Sequence, residues 1–388
     1  MIAIDQWILD NRRTIIDLRR WLHKNPELGF EEFKTSEYLS NILSNKGYSI
    51  NSNNNMKTGF YCDYKTSSDM LALRTDMDAL EIDEKNLDID YKSLNAGIMH
   101  ACGHDVHMAI MTGVALYLKE NEISIDKGVR FIFQPAEEKA PGGALSMIEG
   151  NVLDGVSNII GCHVFPKMAA GKIGVKYGAI AATVELIDIE LKGMGGHTSR
   201  PNESIDLVWA QSQLVNSLEQ SINHNIDRQE AVVMAFGKIE GGSAHNVLPD
   251  NIKLAGTLRY LNPDLQNDLY DKINATIDNV SRITGANISW KSTYACPGGI
   301  NDKDIIDTII DSSKKSIGEE NIQILETSSM GGEDFAYYLQ KVPGAYFRVG
   351  SYNGKVDDIH TSDFDVDEEC IFTAIKVFVS IIESYCRS

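Results

Sequence analysis

The segment MHACGHDVHM, residues 99–108, gathers His100, His104 and His107 with Cys102, a third of the chain's nine histidines in ten positions. Thiolate and imidazole are good donors to a divalent metal, and Cys102 and His104, two apart in a loop, can face one ion. The same pair could be a nucleophilic thiol with its base, or a buried thiol beside a histidine capping a helix. A second signal is FIFQPAEEK, where Glu137 and Glu138 follow an apolar run. Adjacent carboxylates at a strand end point in different directions, so one can bind metal while the other holds the attacking water. The pattern points to metal-assisted hydrolysis in which Glu137 takes a proton from water and returns it to the leaving amine. Taken singly, each piece has a plainer reading: a solvated acid pair, a core histidine at His163, a surface histidine at His360. Only together do they carry weight.

The elements that must position these residues follow from periodicity. Helical patterns cover residues 4–24 and 31–46; MLALRT (70–75) reads as a strand, 105–119 as a helix and GVRFIFQ (128–134) as a strand. A short helix near GGALSMIEG and a strand at NIIGCHVF (158–165) follow. Such alternation predicts an α/β sheet covered on both faces. After residue 180, TVELIDIELKG alternates with period two. A helix over 203–223, AVVMAFGKIEGG, NIKLAGTLRYL, a helix over 263–283 and ANISWKSTY complete a β-α-β-β-α-β order, that of a ferredoxin-like sandwich. The α/β character then returns, with helices near 302–316 and 333–340, a strand at AYFRVGS and a last helix from 367. The expected architecture is a discontinuous catalytic domain, 1–180 and 293–388, with a mixed, mainly parallel sheet, and an inserted α+β domain at 181–292. Ligands gather at the carboxyl ends of strands in such sheets. Asp76 and Asp78, Glu137 and Glu138, His163 and His360 fall at or beyond a strand end, and the opening cluster lies in the loop that starts the 105–119 helix.

The 388 residues suit two domains, and 43% hydrophobic with 23% charged residues is a globular balance. A net charge of -19 argues against nucleic acid and anionic membrane as partners, since both are polyanions. No apolar run approaches the roughly 20 residues of a membrane span. The amphipathic, charged N-terminus is a mature helix and not a signal peptide, and six scattered cysteines read as reduced thiols of a cytoplasmic protein.

LRRWLHKNPELGFEE, LRTDMDAL, MHACGHDVHMA, FIFQPAEEKAPGGA, GCHVFP, KGMGGHTSRP, HNVLPD, GTLR, GGEDFAYYL and HTSDFDVDEE run in that order along nearly the whole chain. Together they resemble the amidohydrolase branch of the dinuclear aminoacylase and carboxypeptidase family of metallopeptidases, which includes hippurate hydrolases, indole-acetyl-amino-acid hydrolases and N-acetyldiaminopimelate deacetylases. The resemblance implies Cys102, His104, Glu138, His163 and His360 as metal ligands and Glu137 as general base. Cys102 would bridge two ions about 3.5–4 Å apart, with His104 and His163 on one, Glu138 and His360 on the other. It implies a lid that also dimerises, in a homodimer or a dimer-based tetramer, and a role for His197 of that lid at the oxyanion of the tetrahedral intermediate. Read by itself, His197 is a turn histidine after two glycines. Asn246 and Arg259 are candidates for gripping the substrate's carbonyl or carboxylate, and Asp76 for orienting a ligand or the water. His100 and His107 are expected to support the site from outside the ligand set, and His23 to pack or cap near the first helix.

Departures from the family pattern are informative. Arg74 stands where the broader family has a histidine ligand; His224-Asn225 replaces an arginine-asparagine pair in the lid, and HTSDFD replaces a histidine-proline sequence at His360. Thiolate and imidazole favour Zn, while carboxylates and family habit favour Mn, so two Mn ions are expected, with Zn, Co or Ni able to replace them. The expected reaction is hydrolysis of an N-acyl amino acid (N-acetyl, benzoyl, longer acyl, or N-acetyl-diaminopimelate) to a carboxylate and a free amino acid. Competing readings are a metal-dependent dipeptidase or carboxypeptidase, a cysteine hydrolase using Cys102 with His104 or His107, and a non-catalytic metal-binding module.

Overall fold

The computed structural model describes residues 3–86 and 89–386. They form two compact units. The first runs up to Ile180 and resumes over Gly299–Thr327 and from Asp334 onward; the second comprises Ala181–Gly298 and Ser328–Glu333.

The first unit is built on an eight-stranded mixed sheet. Its centre is parallel: Gly128–Gln134, Met70–Asp76, Val156–Ala169 and Gly344–Tyr352 lie side by side in that order. Met70–Asp76 and Gly128–Gln134 are buried at every position, which is why their sequences run apolar without alternating. Phe60–Tyr64 adds antiparallel to one side of this core and Ile50–Asn51 adds to it in turn. On the other side Ile173–Val175 runs antiparallel to Gly344–Tyr352, and Ile322–Ile324 lies parallel at the edge. Asp76 pairs with Gln134, so the carboxyl ends of these two neighbouring strands are level. Chain leaving them enters the same rim.

Helix His104–Glu120 is buried at every residue from His104 to Leu118, which a helix apolar on all sides requires. It packs between Ile4–Lys24 and Glu369–Tyr385. Its start is tied to the first helix by charge. Asp105 Oδ2 lies 2.8 Å from both Arg19 Nε and His23 Nδ1, and His23 Nε2 lies 3.2 Å from Glu84 Oε1, all four residues buried. Burial alone would lower the His23 pKa, but Asp105 and Glu84 outweigh it and raise it. A raised pKa stabilises the fold fully below the ordinary value near 6.5, and that contribution is lost as pH rises through the folded value. His23→Ala is therefore expected to cost about 3 kcal/mol at pH 6, the scale of breaking a buried pair, and to flatten the fall in thermal midpoint between pH 6 and 9. Parallel pH profiles for the two proteins would refute this assignment.

The second unit carries a four-stranded antiparallel sheet in the order Val232–Gly241, Asn251–Tyr260, Thr183–Lys192, Asn287–Cys296. Leu214 and Leu218 of helix Leu207–Asn225 and Ile273 and Ile277 of helix Gln266–Thr284 share one core with Ile187, Ile189 and Leu191. This is the ferredoxin-like arrangement expected from the element order. A two-stranded ribbon pairs His197 with Val247 and Gly196 with Leu248.

Two of the expected helices that are shorter than their patterns show why. The 203–223 helix begins at Leu207, because Asp206 accepts from the Trp209 amide and caps it there, after a separate turn at Pro201–Glu203. The 333–340 helix reduces to Ala336–Leu339, since the Asp334 side chain is occupied elsewhere in hydrogen bonds. Phe60–Tyr64 is a strand that periodicity passes over: five residues of mixed polarity leave no readable pattern. None of the six cysteines forms a disulfide, and among the described residues no helix is long and apolar enough to cross a membrane.

Candidate active site

Cys102 sits at the centre of the rim. Its Sγ lies 3.2 Å from His163 Nε2 and 3.3 Å from His360 Nε2. His360 Nε2 is also 3.0 Å from Glu138 Oε1. Five chain segments thus converge on one spot: the 99–104 loop, the turn after Gly128–Gln134, strand Val156–Ala169, the loop after Gly344–Tyr352, and the segment following Met70–Asp76. Donor atoms of Cys102, His104 and His163, of Cys102, Glu138 and His360, and of His104, Glu137 and Glu138 each lie within 4.8 Å of one another. Gly103 lets the loop fit: its φ is +83°, and a Cβ there would lie 2.5 Å from Val164 Cγ2.

The imidazoles are held in one tautomer by backbone. His104 Nδ1 donates to the Asp78 carbonyl at 2.8 Å and His163 Nδ1 to the Val164 carbonyl at 2.7 Å. In the neutral ring this leaves each Nε2 lone pair outward, as a metal-ligating histidine requires. His104 Nε2 is buried without a hydrogen-bond partner. That is costly unless something positive occupies its front.

The electrostatics agree with a cation. Burial would lower the His104 pKa, but Asp76, Asp78 and Glu138 overcome it and push it up to about 10. Burial, then Glu138, Glu137 and Asp76, holds the Cys102 thiol well above its ordinary value. Burial and the neighbouring His107 and Arg348 keep His163 neutral. A neutral imidazole, acid-surrounded imidazole and thiol, and converging carboxylates suit a divalent ion, which would neutralise the acids and favour the thiolate.

Asp78 holds the acid pair in place: its Oδ1 accepts from the Glu137 amide at 3.0 Å and its Oδ2 from the Glu138 amide at 2.9 Å. The Glu137 carboxylate then lies 3.9 Å from His104 Nε2. Asp76 is one step removed. It accepts from His107 Nδ1 at 2.7 Å and Arg74 at 2.6 Å, while its nearest approach to His104 Nε2 is 3.8 Å. His107 Nε2 accepts from the Val164 amide and so steadies the strand beside His163. Arg74, wholly buried, also donates to Gln134 and Asp334. His100 is buried and outside these clusters.

His197, Asn246 and Arg259 belong to the second unit. His197 is exposed; its Nδ1 accepts from the Ser199 amide, which places the ring proton on Nε2 as an available donor. The Asn246 carbonyl accepts from Thr198, so Asn246 is adjacent to His197. Arg259 is half-buried and donates to the Met330 carbonyl. His224 is exposed in the last turn of its helix. The residues that residue type alone does not reveal are Asp78 and Asp334, and in the Asp78 case its place two residues past Asp76 at a strand end is the available signal.

The sequence profile of peptidase family M20/M25/M40 matches residues 72–384. The N-acetyl-L-cysteine deacetylase of Bacillus subtilis (strain 168) is 36% identical over 367 residues, covering 93% of this chain and 86% of that protein. The N-acetyldiaminopimelate deacetylase of Bacillus pumilus is 34% identical, covering 95% and 97%. Among solved structures, a dinuclear metal-binding peptidase of the M20 family from Bacillus subtilis superposes with a TM-score of 0.84 at 31% identity, over 95% of this chain and 96% of that one. The chain belongs to peptidase family M20/M25/M40, and with it to the hydrolases of amide bonds.

Proposed function

We propose that this protein hydrolyses N-acyl amino acids to a carboxylate and a free amino acid, at a centre of two divalent cations held by Cys102, His104, Glu138, His163 and His360. The observation that carries the reading is the position of Cys102 Sγ between His163 Nε2 and His360 Nε2, at 3.2 and 3.3 Å: one thiolate can serve both halves of a paired site. The cations, when bound, acidify water and polarise the scissile carbonyl. Every other part belongs to the chain. Glu137, placed by Asp78, takes the water's proton on its carboxylate and hands it to the departing amine nitrogen. Asp78 orients His104 through its carbonyl, and His107 orients the strand that carries His163. We assign His197 to the oxyanion, from its own or a partner chain, because its exposed Nε2–H is a ready donor; Asn246 and Arg259 are assigned to the substrate's polar groups.

Manganese is our choice for the cell, given the Glu138 carboxylate in the ligand set and the Glu137 carboxylate beside it, with zinc, cobalt or nickel as substitutes. We assign the acidic chain to the cytoplasm and to a dimer through its inserted unit, a choice supported by the apolar surface that Val208 and Trp209 expose on one helix. The deacetylase relatives favour an acetyl-type acyl group. Cleavage of dipeptides is the second reading, favoured by the family's peptidase members, and differs only in how the amine side is recognised. A cysteine nucleophile is disfavoured, since a thiol surrounded by carboxylates and held well above its ordinary pKa gives little thiolate.

The test is release of free amino acid by the Mn-loaded protein from a panel of N-acetyl, N-benzoyl and long-chain N-acyl amino acids, N-acetyl-diaminopimelate and dipeptides, with and without EDTA. Chelator-sensitive release from one acyl class is expected. Release that resists EDTA would return Cys102 to the nucleophile role, and preference for dipeptides would select the second reading.

A further inference from the structure

We propose that Glu32 is a positioning residue for hydrolysis, its buried carboxyl holding the backbone turn from which Glu137 and Glu138 project; this rests on Glu137 acting as the base. Glu32 is fully buried. Its Oε1 accepts from the Ala136 amide at 2.8 Å, and its Oε2 is held by the Thr58 hydroxyl. Together with the two bonds to Asp78, this gives three consecutive amides, 136, 137 and 138, each fixed by a carboxyl oxygen.

The turn needs such a hold. Ala136 has φ +51°, a left-handed conformation that costs a non-glycine residue roughly 1–2 kcal/mol. Its carbonyl is fixed as well, accepting from the Gly143 amide at 2.9 Å. Asp78 alone grips 137 and 138 from one side. Glu32 grips 136, just before the acid pair, and Lys139 Nζ, just after it, donates to the Gly29 carbonyl at 2.7 Å. The 29–32 loop therefore brackets both carboxylates. It can lie this close because residue 29 has no side chain: a Cβ there would sit 2.9 Å from the Ala136 Cα and Cβ.

Nothing cationic faces Glu32 among its hydrogen-bond partners, which are a hydroxyl and an amide. Burial pushes its carboxyl up to about 7, against the smaller lowering by Thr58. A carboxyl so placed destabilises the core unless it serves a purpose there. Its purpose is geometric and needs an acceptor, not a charge. Glutamine preserves it: the amide oxygen can accept from Ala136 while its NH2 donates to Thr58. Methionine fills similar volume and cannot accept.

Glu32→Met and Glu32→Gln, both metal-loaded, form the test. A misplacement of the base by about 1 Å costs on the order of 10²-fold, so Glu32→Met, read at saturating metal, should lose about 10- to 100-fold in kcat with KM within about twofold. Glu32→Gln should stay within about threefold of wild type. Amide exchange at 136–138 is read in parallel: faster in Glu32→Met, unchanged in Glu32→Gln. Wild-type kcat and exchange in Glu32→Met would overturn the proposal. So would a Glu32→Gln as slow as Glu32→Met, or an effect confined to KM. Should the protein cleave no N-acyl amino acid at all, the function assigned above fails, while the exchange comparison still decides whether Glu32 holds the turn. If Glu32→Met does not fold, Thr58→Val, which removes only the hydroxyl on Oε2, carries the same comparison at smaller amplitude.

Discussion

Glu137→Gln is expected to lose at least about 10³-fold in turnover, a loss of general-base size, while binding its metal as the wild type does. The substitution keeps the shape of the side chain and leaves the amide of residue 137 on Asp78 Oδ1. Cys102, His104, Glu138, His163 and His360 keep their partners, so the proposed metal cradle is undisturbed. What is lost is a carboxylate able to take a proton from water and give it to nitrogen. Turnover measured beside metal content by elemental analysis checks both halves of the expectation. Full activity in this variant would end the proposed mechanism. A parallel loss of metal would instead make Glu137 a ligand.

Cys102→Ala is expected to fail earlier, at metal loading. Its sulfur lies against both His163 and His360, so removing it weakens both halves of the site together. Metal content should fall below that of Glu137→Gln, and activity should fall at least as far, by more than about 10³-fold at stoichiometric metal, since losing both cations removes the activated water itself. Excess Mn should restore part of it. Restoration distinguishes a ligand from a nucleophile: a missing nucleophile is not replaced by more metal. Unchanged metal content would take Cys102 out of the ligand set.

Much of this site is legible from residue types because metal-ligand chemistry uses few of them. Cys102, His104, Glu138, His163 and His360 stand out wherever they fall, and strand periodicity brings them to one rim. The residues that hold them are harder to read. Asp78 and Glu32 act on backbone amides, and every residue except proline supplies an amide, so no partner type marks the contact. Asp76 illustrates the same limit. Its neighbourhood is evident, yet its strong bonds go to His107 and Arg74, and the nearer hold on His104 belongs to the carbonyl of Asp78. In the fold, alternation over TVELIDIELK is clean because one face of that strand meets helices. The late start of the helix at Leu207 and the shortness of Ala336–Leu339 are decided by the Asp206 cap and by the bonds of Asp334, which a hydrophobic pattern does not encode.

The strand Gly344–Tyr352 has a consequence for how the protein is made. It is wedged between Val156–Ala169 and Ile173–Val175, strands translated well over a hundred residues before it. Until the ribosome has passed residue 352, the sheet is split, and both neighbours present open edges liable to wrong pairing. His360 emerges later still. The inserted unit, nearly continuous in sequence, can fold on the nascent chain while the rest waits. Hydrolytic competence therefore arrives only after residue 360 has been made, and a chain released before it has neither a closed sheet nor a complete site.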